Sequence, residues 1–356
     1  TGSRNIFLGY EAGYNANYQD ASDKLVIANS NTTTPLIDGD FSAATLTVNG
    51  ALTANSVAAG DVSSTEFGYL DGVTSSIQDQ INANVNQVNI DGGNLSVGTA
   101  TMNTNEGADN TVFGSGSMYT NTSGSYNTAI GRYSLTLNTT GDRNNGLGNN
   151  SLYNNTTGSY NVGIGNYALF NNTTAGSNVA VGDEAMFSNL SGSNNTAIGG
   201  AALRANTTGG ENSAFGYLAL KSNTTGTRNT ALGLSTLFNN LEGTTNIAIG
   251  REALYNNTTG SYNTILGSTA GFNNTIGSRN VFIGYDAGSN SNHETASDKL
   301  VIANSNTTTP LIDGDFDAAT LTVNGDFEST GSVTASSFVG DGSGLTGISA
   351  QIQNQI

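Results

Sequence analysis

The chain has 356 residues, of which 10% are charged, and its formal net charge is −17 with 10 basic residues. A nucleic-acid groove needs clustered lysine and arginine, and the absence of such a cluster excludes nucleic acid as a partner. No run of about 18 apolar residues exists, so no membrane segment is expected. The chain has no cysteine, which removes disulfides and thiol chemistry.

The beginning of the chain returns near its end. Residues 1–50 reappear as residues 276–325, and the only two prolines, Pro35 and Pro310, lie 275 residues apart. The sequence therefore holds one 275-residue module and 81 residues of the next. We expect a longer parent protein that carries this tandem module several times. Residues 1–20 match the end of the repeat array at residues 110–292, and are predicted to be the end of a preceding β-solenoid.

Residues 21–62 are predicted to form a β connector, because they contain short β segments separated by turns. Residues 63–92 are predicted to form a short helical coiled-coil neck. Its apolar positions include Leu70, Val73, Ile77 and Ile81, and spacings of 3, 4 and 4 fit an 11-residue pattern with straight or right-handed coiling. An Ile-rich seam favours three or more strands, so these four residues are predicted at a trimer interface. Residues 93–109 are predicted to be a connector.

Residues 110–292 contain eleven repeats, whose first residues follow one another every 17 residues from 110 to 280 without insertion or gap. We number the positions of each unit from its first Asn. Position 1 is occupied by Asn110, Asn127, Asn144, Asn161, Asn178, Asn195, Asn212, Asn229, Asn246, Asn263 and Asn280. Position 5 is occupied by Gly114, Gly131, Gly148, Gly165, Gly182, Gly199, Gly216, Gly233, Gly250, Gly267 and Gly284. These residues are predicted to be structural.

A unit of 17 residues is too short for a helix pair and fits one coil of a parallel β-solenoid. Each coil is predicted to have a strand at Thr-Ala-Ile, a Gly turn, a second strand around Ala-Leu-Tyr, and a polar turn. In the unit that begins at Asn246, Ile249 and Leu254 are predicted to point inward, and Gly250 and Gly260 to adopt positive φ. The Asn of position 1 is predicted to form a hydrogen-bonded ladder along the array. Coils stack about 4.8 Å apart, so the array should be about 50 Å long.

Position 10 mixes aromatic, polar and cationic residues. It reads Tyr119, Thr136, Tyr153, Phe170, Phe187, Arg204, Lys221, Phe238, Tyr255, Phe272 and Ser289. A sealed core would not accept Arg204 and Lys221, whereas a solvated face would not favour so many aromatics. The pattern predicts half-burial between neighbouring chains of a parallel homotrimer. The predicted interface residues are Tyr153, Phe170, Phe187, Phe238 and Tyr255.

The chain closes with two predicted segments, a β connector at residues 293–336 and the start of the next coiled-coil neck at residues 337–356. The predicted fold class is therefore all-β with a short coiled-coil neck. It contains a parallel β-solenoid of 17-residue coils, in a trimer.

The sequence offers few candidates for chemistry. His293 is the only histidine, and Tyr18 occupies its place in the first copy, so a solvated loop is predicted rather than a base or a metal ligand. The Asp pairs at residues 38–40 and 313–315 could hold Ca²⁺, but a turn between strands is the simpler interpretation. The repeated Asn-Thr-Thr could accept glycans, although turn hydrogen bonding is the simpler interpretation. No catalytic, cofactor or metal residue is predicted, and no enzyme activity.

The repeats resemble known fibres. Residues 127–131, Asn-Thr-Ala-Ile-Gly, are similar to the head repeats of trimeric autotransporter adhesins of the YadA type. Residues 45–50, 67–74 and 340–348 are similar to segments of phage and bacterial tail-fibre proteins. The resemblance implies a parallel homotrimer, exposure outside the cell on a cell surface or virion, and adhesion. The receptor, with a glycan among the candidates, would then be bound by regions outside this chain.

Three functions were compared. The first is the structural shaft of a long extracellular fibre, adhesin or tail fibre, that mediates surface or host attachment. The alternative is a subunit of a self-assembling extracellular filament or sheath without a receptor-binding tip. A carbohydrate-processing solenoid needs paired carboxylates on one face, and the acidic residues of the coils form no repeated pair.

Overall fold

A computed structural model describes residues 2–50, 88–91, 93–102, 106–337 and 339. The chain divides into two compact units, Thr1–Gln80 and Ile81–Ile356. In the described residues the regular elements are β-strands and two single-turn 3-10 helices, so the all-β prediction is confirmed there. The predicted neck residues Leu70, Val73, Ile77 and Ile81, and residues 340–356, lie outside the described residues.

The first unit contains a four-stranded sheet in the order β1-β2-β3-β4. Its strands are β1 (Ile6–Leu8), β2 (Lys24–Ile27), β3 (Ile37–Asp40) and β4 (Thr45–Val48), with a 3-10 helix at Ala16–Tyr18 between β1 and β2. β1 pairs parallel with β2, whereas β3 pairs antiparallel with both of its neighbours. The predicted connector thus consists of strands as far as it is described.

The second unit contains one sixteen-stranded sheet whose strands follow one another in chain order. Its strands are β5 (Val88–Asp91), β6 (Asn94–Val97), β7 (Thr111–Phe113), β8 (Thr128–Ile130), β9 (Asn145–Leu147), β10 (Val162–Ile164), β11 (Val179–Val181), β12 (Thr196–Ile198), β13 (Ser213–Phe215), β14 (Thr230–Leu232), β15 (Ile247–Ile249), β16 (Thr264–Leu266), β17 (Val281–Ile283), β18 (Lys299–Ile302), β19 (Ile312–Asp315) and β20 (Thr320–Val323). A second 3-10 helix, Ser291–His293, lies between β17 and β18. Strands β6 to β18 are parallel, and antiparallel pairs close both ends.

The predicted β-solenoid of 17-residue coils is confirmed. Within the array each strand residue pairs with the residue 17 positions later, as Val162 does with Val179. The array begins earlier than predicted, because β6 already pairs with β7 and the amide N–H of Asn110 donates to Asn94 Oδ1 at 2.8 Å. β6 thus belongs to the array with an offset of 16 residues, as Leu95 pairs with Thr111, and the prediction of a connector is wrong for that strand. Helix is likewise wrong at Val88, which begins β5.

Each coil contains one strand, so the predicted second strand is wrong. The Ala-Leu-aromatic segment is a turn, and the leucine at position 9 has positive φ, 52° at Leu254. A residue in that conformation reverses the chain direction and cannot continue a strand. The segment still bonds from coil to coil, as when Leu254 N–H donates to the Ala270 carbonyl at 2.9 Å. Irregular backbone thus also supplies stacking hydrogen bonds between coils.

The inward residue of each strand is its middle residue. Ala248 is fully buried, whereas Ile249 points outward and is 37% exposed, so the predicted inward position of Ile249 is wrong. Successive strand residues point to opposite faces, and the small residue faces a narrow interior. Leu254 is buried as predicted, and the other position-9 residues from Met118 to Leu237 share its burial.

The last two coils exchange large and small residues. Ile265 and Phe282 replace the usual alanine at position 3, and Gly271 and Gly288 replace leucine at position 9. A Cβ on Gly288 would lie 2.5 Å from the Phe282 ring, so the exchange is a matched change of volume. We call the last coil, which contains Phe282 and Gly288, the closing coil. Its core is therefore built differently from that of the interior coils.

Two columns of buried asparagine run through the coils. At position 1, Asn161 donates from its backbone N–H to Asn144 Oδ1 at 3.0 Å and from Nδ2 to the Ala175 carbonyl at 2.9 Å, which confirms the predicted ladder. A second column, at position 12, was not predicted as a ladder. There Asn155 Nδ2 donates to Asn138 Oδ1 at 2.8 Å and to the Gly158 carbonyl at 2.9 Å. The members of this second column are Asn121, Asn138, Asn155, Asn172, Asn189, Asn206, Asn223, Asn240, Asn257 and Asn274.

The glycines act by two different physical effects. At position 5 every glycine has positive φ, as predicted, with 134° at Gly250. Gly260 has no positive φ, so that prediction is wrong. A Cβ there would lie 2.3 Å from the Gly277 carbonyl oxygen of the next coil. Close approach of stacked backbones, rather than conformation, requires glycine at this turn.

Candidate association surface

The outward residue at position 4 forms an unbroken apolar column through strands β6 to β20. The register aligns Val97, Phe113, Ile130, Leu147, Ile164, Val181, Ile198, Phe215, Leu232, Ile249, Leu266, Ile283, Ile302, Ile312 and Val323. We call this column the ridge. Every member is aliphatic or phenylalanine, whereas the other outward position of strands β7 to β17 is threonine, serine or asparagine in seven of the eleven strands.

The ridge is exposed to solvent within the chain. Seven of its side chains, among them Ile164, Ile198 and Leu232, are 37–47% exposed. Its remaining described side chains from Val97 onward are half-buried. A scattered exposed leucine is ordinary, but a contiguous apolar strip of this length is unusual on a soluble surface and is typical of an interaction site.

The first unit carries the same column over its four strands. The register aligns Leu8, Ile27, Ile37 and Val48. Leu8 is 52% exposed. The outward apolar column is thus a property of both copies of the repeated segment.

The aromatic residues of position 10 form a second column, the aromatic row. The rings of Tyr153 and Phe170 are stacked with centroids 5.3 Å apart, and Phe170 stacks on Phe187 at 5.2 Å. Phe238, Tyr255 and Phe272 form a second stack at 4.9 and 5.1 Å. Each ring is half-buried by the coils above and below it. The half-burial from which a neighbouring chain was predicted is therefore supplied by the chain itself.

The two cations of the row also find partners within the chain. The Arg204 guanidinium lies 5.3 Å from the Phe187 centroid and pairs with Glu184 through Nε at 2.6 Å. Lys221 Nζ lies 4.9 Å from the Phe238 centroid. Each cation therefore covers the end of one aromatic stack, where cation–π attraction is favourable.

His293 is buried, so the prediction of a solvated loop is wrong. Its side chain is 8% exposed, and its ring packs edge-on against Phe282 at 5.3 Å. Its Nδ1 lies 3.1 Å from Asn290 Oδ1. Burial lowers the pKa of His293, nearby Asp313 opposes that shift, and Lys299 adds to it. The residue is part of the core of the closing coil.

Tyr18 has the same place in the first unit. It is buried, and its ring lies edge-on 6.0 Å from Phe7. Burial raises the pKa of Tyr18 to about 12, and a hydrogen bond to Asp38 adds to the shift. The exchange of tyrosine for histidine between the copies therefore keeps an aromatic ring in the closing coil.

The Asp pairs lie in strands β3 and β19, so the prediction of turns is wrong. The Asp40 carboxylate accepts from the Lys24 ammonium, which holds the pKa of Asp40 well below its usual range. In the second copy, the Ala318 N–H and then the Lys299 ammonium lower the pKa of Asp315. Both aspartates also accept backbone N–H groups at the strand end, which is a structural role. No cluster of three candidate metal ligands occurs in the described part of the chain.

The Asn-Thr-Thr segments are confirmed as turn hydrogen-bonding groups. The position-12 asparagine is fully buried, and the next threonine hydroxyl donates to the following coil, as Thr156 does to the Thr173 carbonyl at 3.0 Å. A buried amide that already donates twice is not accessible to a glycosyl transferase in the folded coil.

Comparison with known proteins found no match for the chain. No protein-family model, no curated protein and no solved structure matches it. Among the described residues no helix is long and apolar enough to cross a membrane. Function must therefore be argued from the surfaces of the solenoid.

Proposed function

We propose that this chain is part of the structural shaft of a long extracellular fibre, of the adhesin or tail-fibre kind, in which copies associate along the ridge. The observation that carries the proposal is the unbroken apolar column through strands β6 to β20. Burial of apolar surface contributes roughly 25 cal/mol per Å², so a strip repeated in every coil gains stability in proportion to its length.

The association we propose is a parallel homotrimer. Parallel packing places each coil against the same coil of its neighbours, so ridge residues such as Ile164 and Ile198 meet their equivalents. Three copies around one axis bring three narrow strips together, and a closed symmetric arrangement leaves no ridge unpaired. The Ile-rich pattern at Leu70, Val73, Ile77 and Ile81 supports the same stoichiometry. The aromatic row would then lie on the outer surface.

Native mass measurement of the 356-residue protein tests the trimer. We expect three times 36.3 kDa at micromolar concentration. The double variant Ile164→Lys/Ile198→Lys should give a folded monomer, because each ammonium would have to be buried in the interface. Tyr160→Lys, at a position that is 56% exposed and off the ridge, is the matched control and should remain trimeric. A stable monomer of the parent chain refutes the association, and a dimer refutes the threefold arrangement.

A filament or sheath subunit without a tip is the second candidate. It is favoured by exposed apolar side chains in both antiparallel closing sheets, Leu36, Phe41 and Leu46 in one copy and Leu311, Phe316 and Leu321 in the other. Electron microscopy of the purified chain separates the two functions. Discrete rods of fixed length support the shaft, and open-ended filaments support the alternative.

A further inference from the structure

The aromatic row is interrupted at its centre by two cations on consecutive coils. Arg204 and Lys221 stand between the stack that ends at Phe187 and the stack that begins at Phe238. Consecutive coils are about 4.8 Å apart, so two cations on neighbouring coils repel each other. Phenylalanine or tyrosine at both positions would have continued the stacking without that repulsion, so stacking alone does not require cations there.

Lys221 is singular among the basic residues. Of the ten lysines and arginines, seven pair with a carboxylate. Arg132 and Arg143 instead donate to tyrosine hydroxyls at 3.2 and 3.0 Å. Within the described residues the Lys221 ammonium has neither an ion pair nor a hydrogen bond, only the face of Phe238. A chain of net charge −17 thus has one half-buried lysine without an anionic partner, one coil after Arg204.

We propose that Arg204 and Lys221 form a binding point for a carboxylate of an acidic polysaccharide that lies along the aromatic row. The Lys221 ammonium and the guanidinium N–H groups of Arg204 that Glu184 does not use would donate to one carboxylate. Charge-assisted hydrogen bonds of this kind are the strong ones. The carboxylate would also offset the repulsion between the two cations.

The surroundings of the pair favour a sugar polymer over a free anion. Beside the row, position 11 carries asparagine amides that bond from coil to coil, Asn154 to Asn171 at 3.0 Å and Asn239 to Asn256 at 3.1 Å. A column of rings and a column of amides therefore run side by side in steps of one coil on both flanks of the cation pair, which suits an extended chain of hydroxyl-bearing rings. The net charge of −17 disfavours a densely charged polymer, so the carboxylates should be sparse.

The test compares binding and stability in the same variants. The probes are an oligosaccharide containing isolated glucuronic acid residues, a neutral glucose oligosaccharide of equal length, and sodium sulfate. Binding is followed by NMR shift perturbation of the 356-residue protein. The parent should bind the acidic oligosaccharide and not the neutral one. Lys221→Phe should weaken that binding by about tenfold, the equivalent of one charge-assisted hydrogen bond, while raising the melting temperature because the stack is extended.

The controls make each outcome decisive. Lys221→Gln removes the charge without adding a ring and should show the same loss of binding. Arg228→Met removes an exposed arginine that pairs with Glu211, and should leave binding unchanged. Equal binding of the neutral oligosaccharide, or unchanged binding by Lys221→Gln, overturns the proposal. Sulfate binding as tight as that of the oligosaccharide reduces the site to a simple anion site and overturns the polysaccharide. A lower melting temperature of Lys221→Phe with unchanged binding assigns Lys221 a structural role only.

Discussion

Residues 5–48 and 280–323 place almost the same sequence in two settings. In the second unit β17 lies on β16, whereas β1 is the edge strand of its sheet. The closing conformation is the same in both. Lys24 N–H donates to Asn5 Oδ1 and Lys299 N–H to Asn280 Oδ1, each at 2.9 Å. The burial differs, because Phe282 is fully buried and Phe7 is 38% exposed. Local sequence therefore sets the geometry of the closing coil, and the coil beneath it supplies the hydrophobic stabilisation.

If local sequence sets the closing geometry, the same glycine substitution should have the same effect in both copies. Gly9 and Gly284 have φ of 110° and 115°, and a Cβ on either would lie 1.9 Å from the carbonyl oxygen of Ala28 or Ala303. Gly9→Val and Gly284→Val should each cost about 4 kcal/mol, through strain and collision with backbone. Hydrogen exchange of the Ala28 and Ala303 amides measures the loss in each copy.

The control for this prediction is Gly331→Val, since nothing lies within 4 Å of a Cβ at that position. It should leave exchange unchanged in both copies. If Gly9→Val were tolerated while Gly284→Val were not, the closing geometry would depend on the coil beneath.

Removal of the aromatic ring, in contrast, should have different effects in the two copies. Phe282→Ala should destabilise the second unit by about 3 kcal/mol, because it removes a large side chain from a closed core. Phe7→Ala should cost less than about half of that, since its ring already contacts water. Thermal melting combined with protease sensitivity around each site distinguishes the two. Equal losses would show that burial in the second unit adds nothing to the ring packing within the coil.

Replacing an asparagine of the ladder should also cost more stability in the second unit than in the first, with a smaller loss than for the aromatic ring. Asn195 donates to Asn178 Oδ1 and the Gly209 carbonyl, and accepts from the Asn212 N–H. Asn195→Ala should cost about 2 kcal/mol, because these buried groups lose their partners. Asn5, with contacts to one neighbouring coil, should lose about half as much on replacement by alanine. Local hydrogen exchange gives both values, and similar losses would argue against coil-to-coil cooperation.

The smallest expected effect is a difference in pH response. The pKa of His293 is lowered by burial, so stability is complete above about pH 6.5 and falls as the pH decreases through the folded-state pKa. The pKa of Tyr18 is raised to about 12, so the first unit should lose stability as the pH rises from about 10 towards 12. His293→Tyr should remove the acid response of the second unit. An unchanged acid response in melting experiments would assign it to other groups.

The period of the sequence was sufficient to predict the solenoid, the coil length and the first asparagine ladder. It was not sufficient to predict which side chains face inward. Hydrophobicity alone favoured Ile249 over Ala248 for the interior, but a three-residue strand buries only its middle side chain, in a space that fits alanine. The Ala-Leu-aromatic segment has β propensity, yet the closed coil must reverse direction there, and this constraint arises only from the whole coil.

The sequence also contains a pattern that predicts the association surface. Position 4 is apolar in every unit, including Phe113, Ile198 and Ile283, while position 3 shrinks to Gly146 and Gly163 in two of them. A position that is apolar in every unit, although the interior is filled by another position, predicts a contact on the outer surface. The aromatic row is ambiguous in sequence, because stacking between coils of one chain produces the same half-burial as a neighbouring chain. The exchange of Tyr18 for His293 argued against chemistry at this position, but it did not indicate solvent, because both rings pack in the core.

The constant spacing of the coils has a consequence for the history of the gene. The contacts between interior coils repeat every 17 residues, and many join equivalent positions, as between Val179 and Thr196 in the sheet and between Asn178 and Asn195 in the ladder. If one whole unit is deleted or duplicated, each coil still stacks on a coil with equivalent residues, and the solenoid stays continuous. We therefore expect copy number to vary among related genes by in-frame recombination between repeats, with reach as the selected trait, while the Phe282–Gly288 coil stays last.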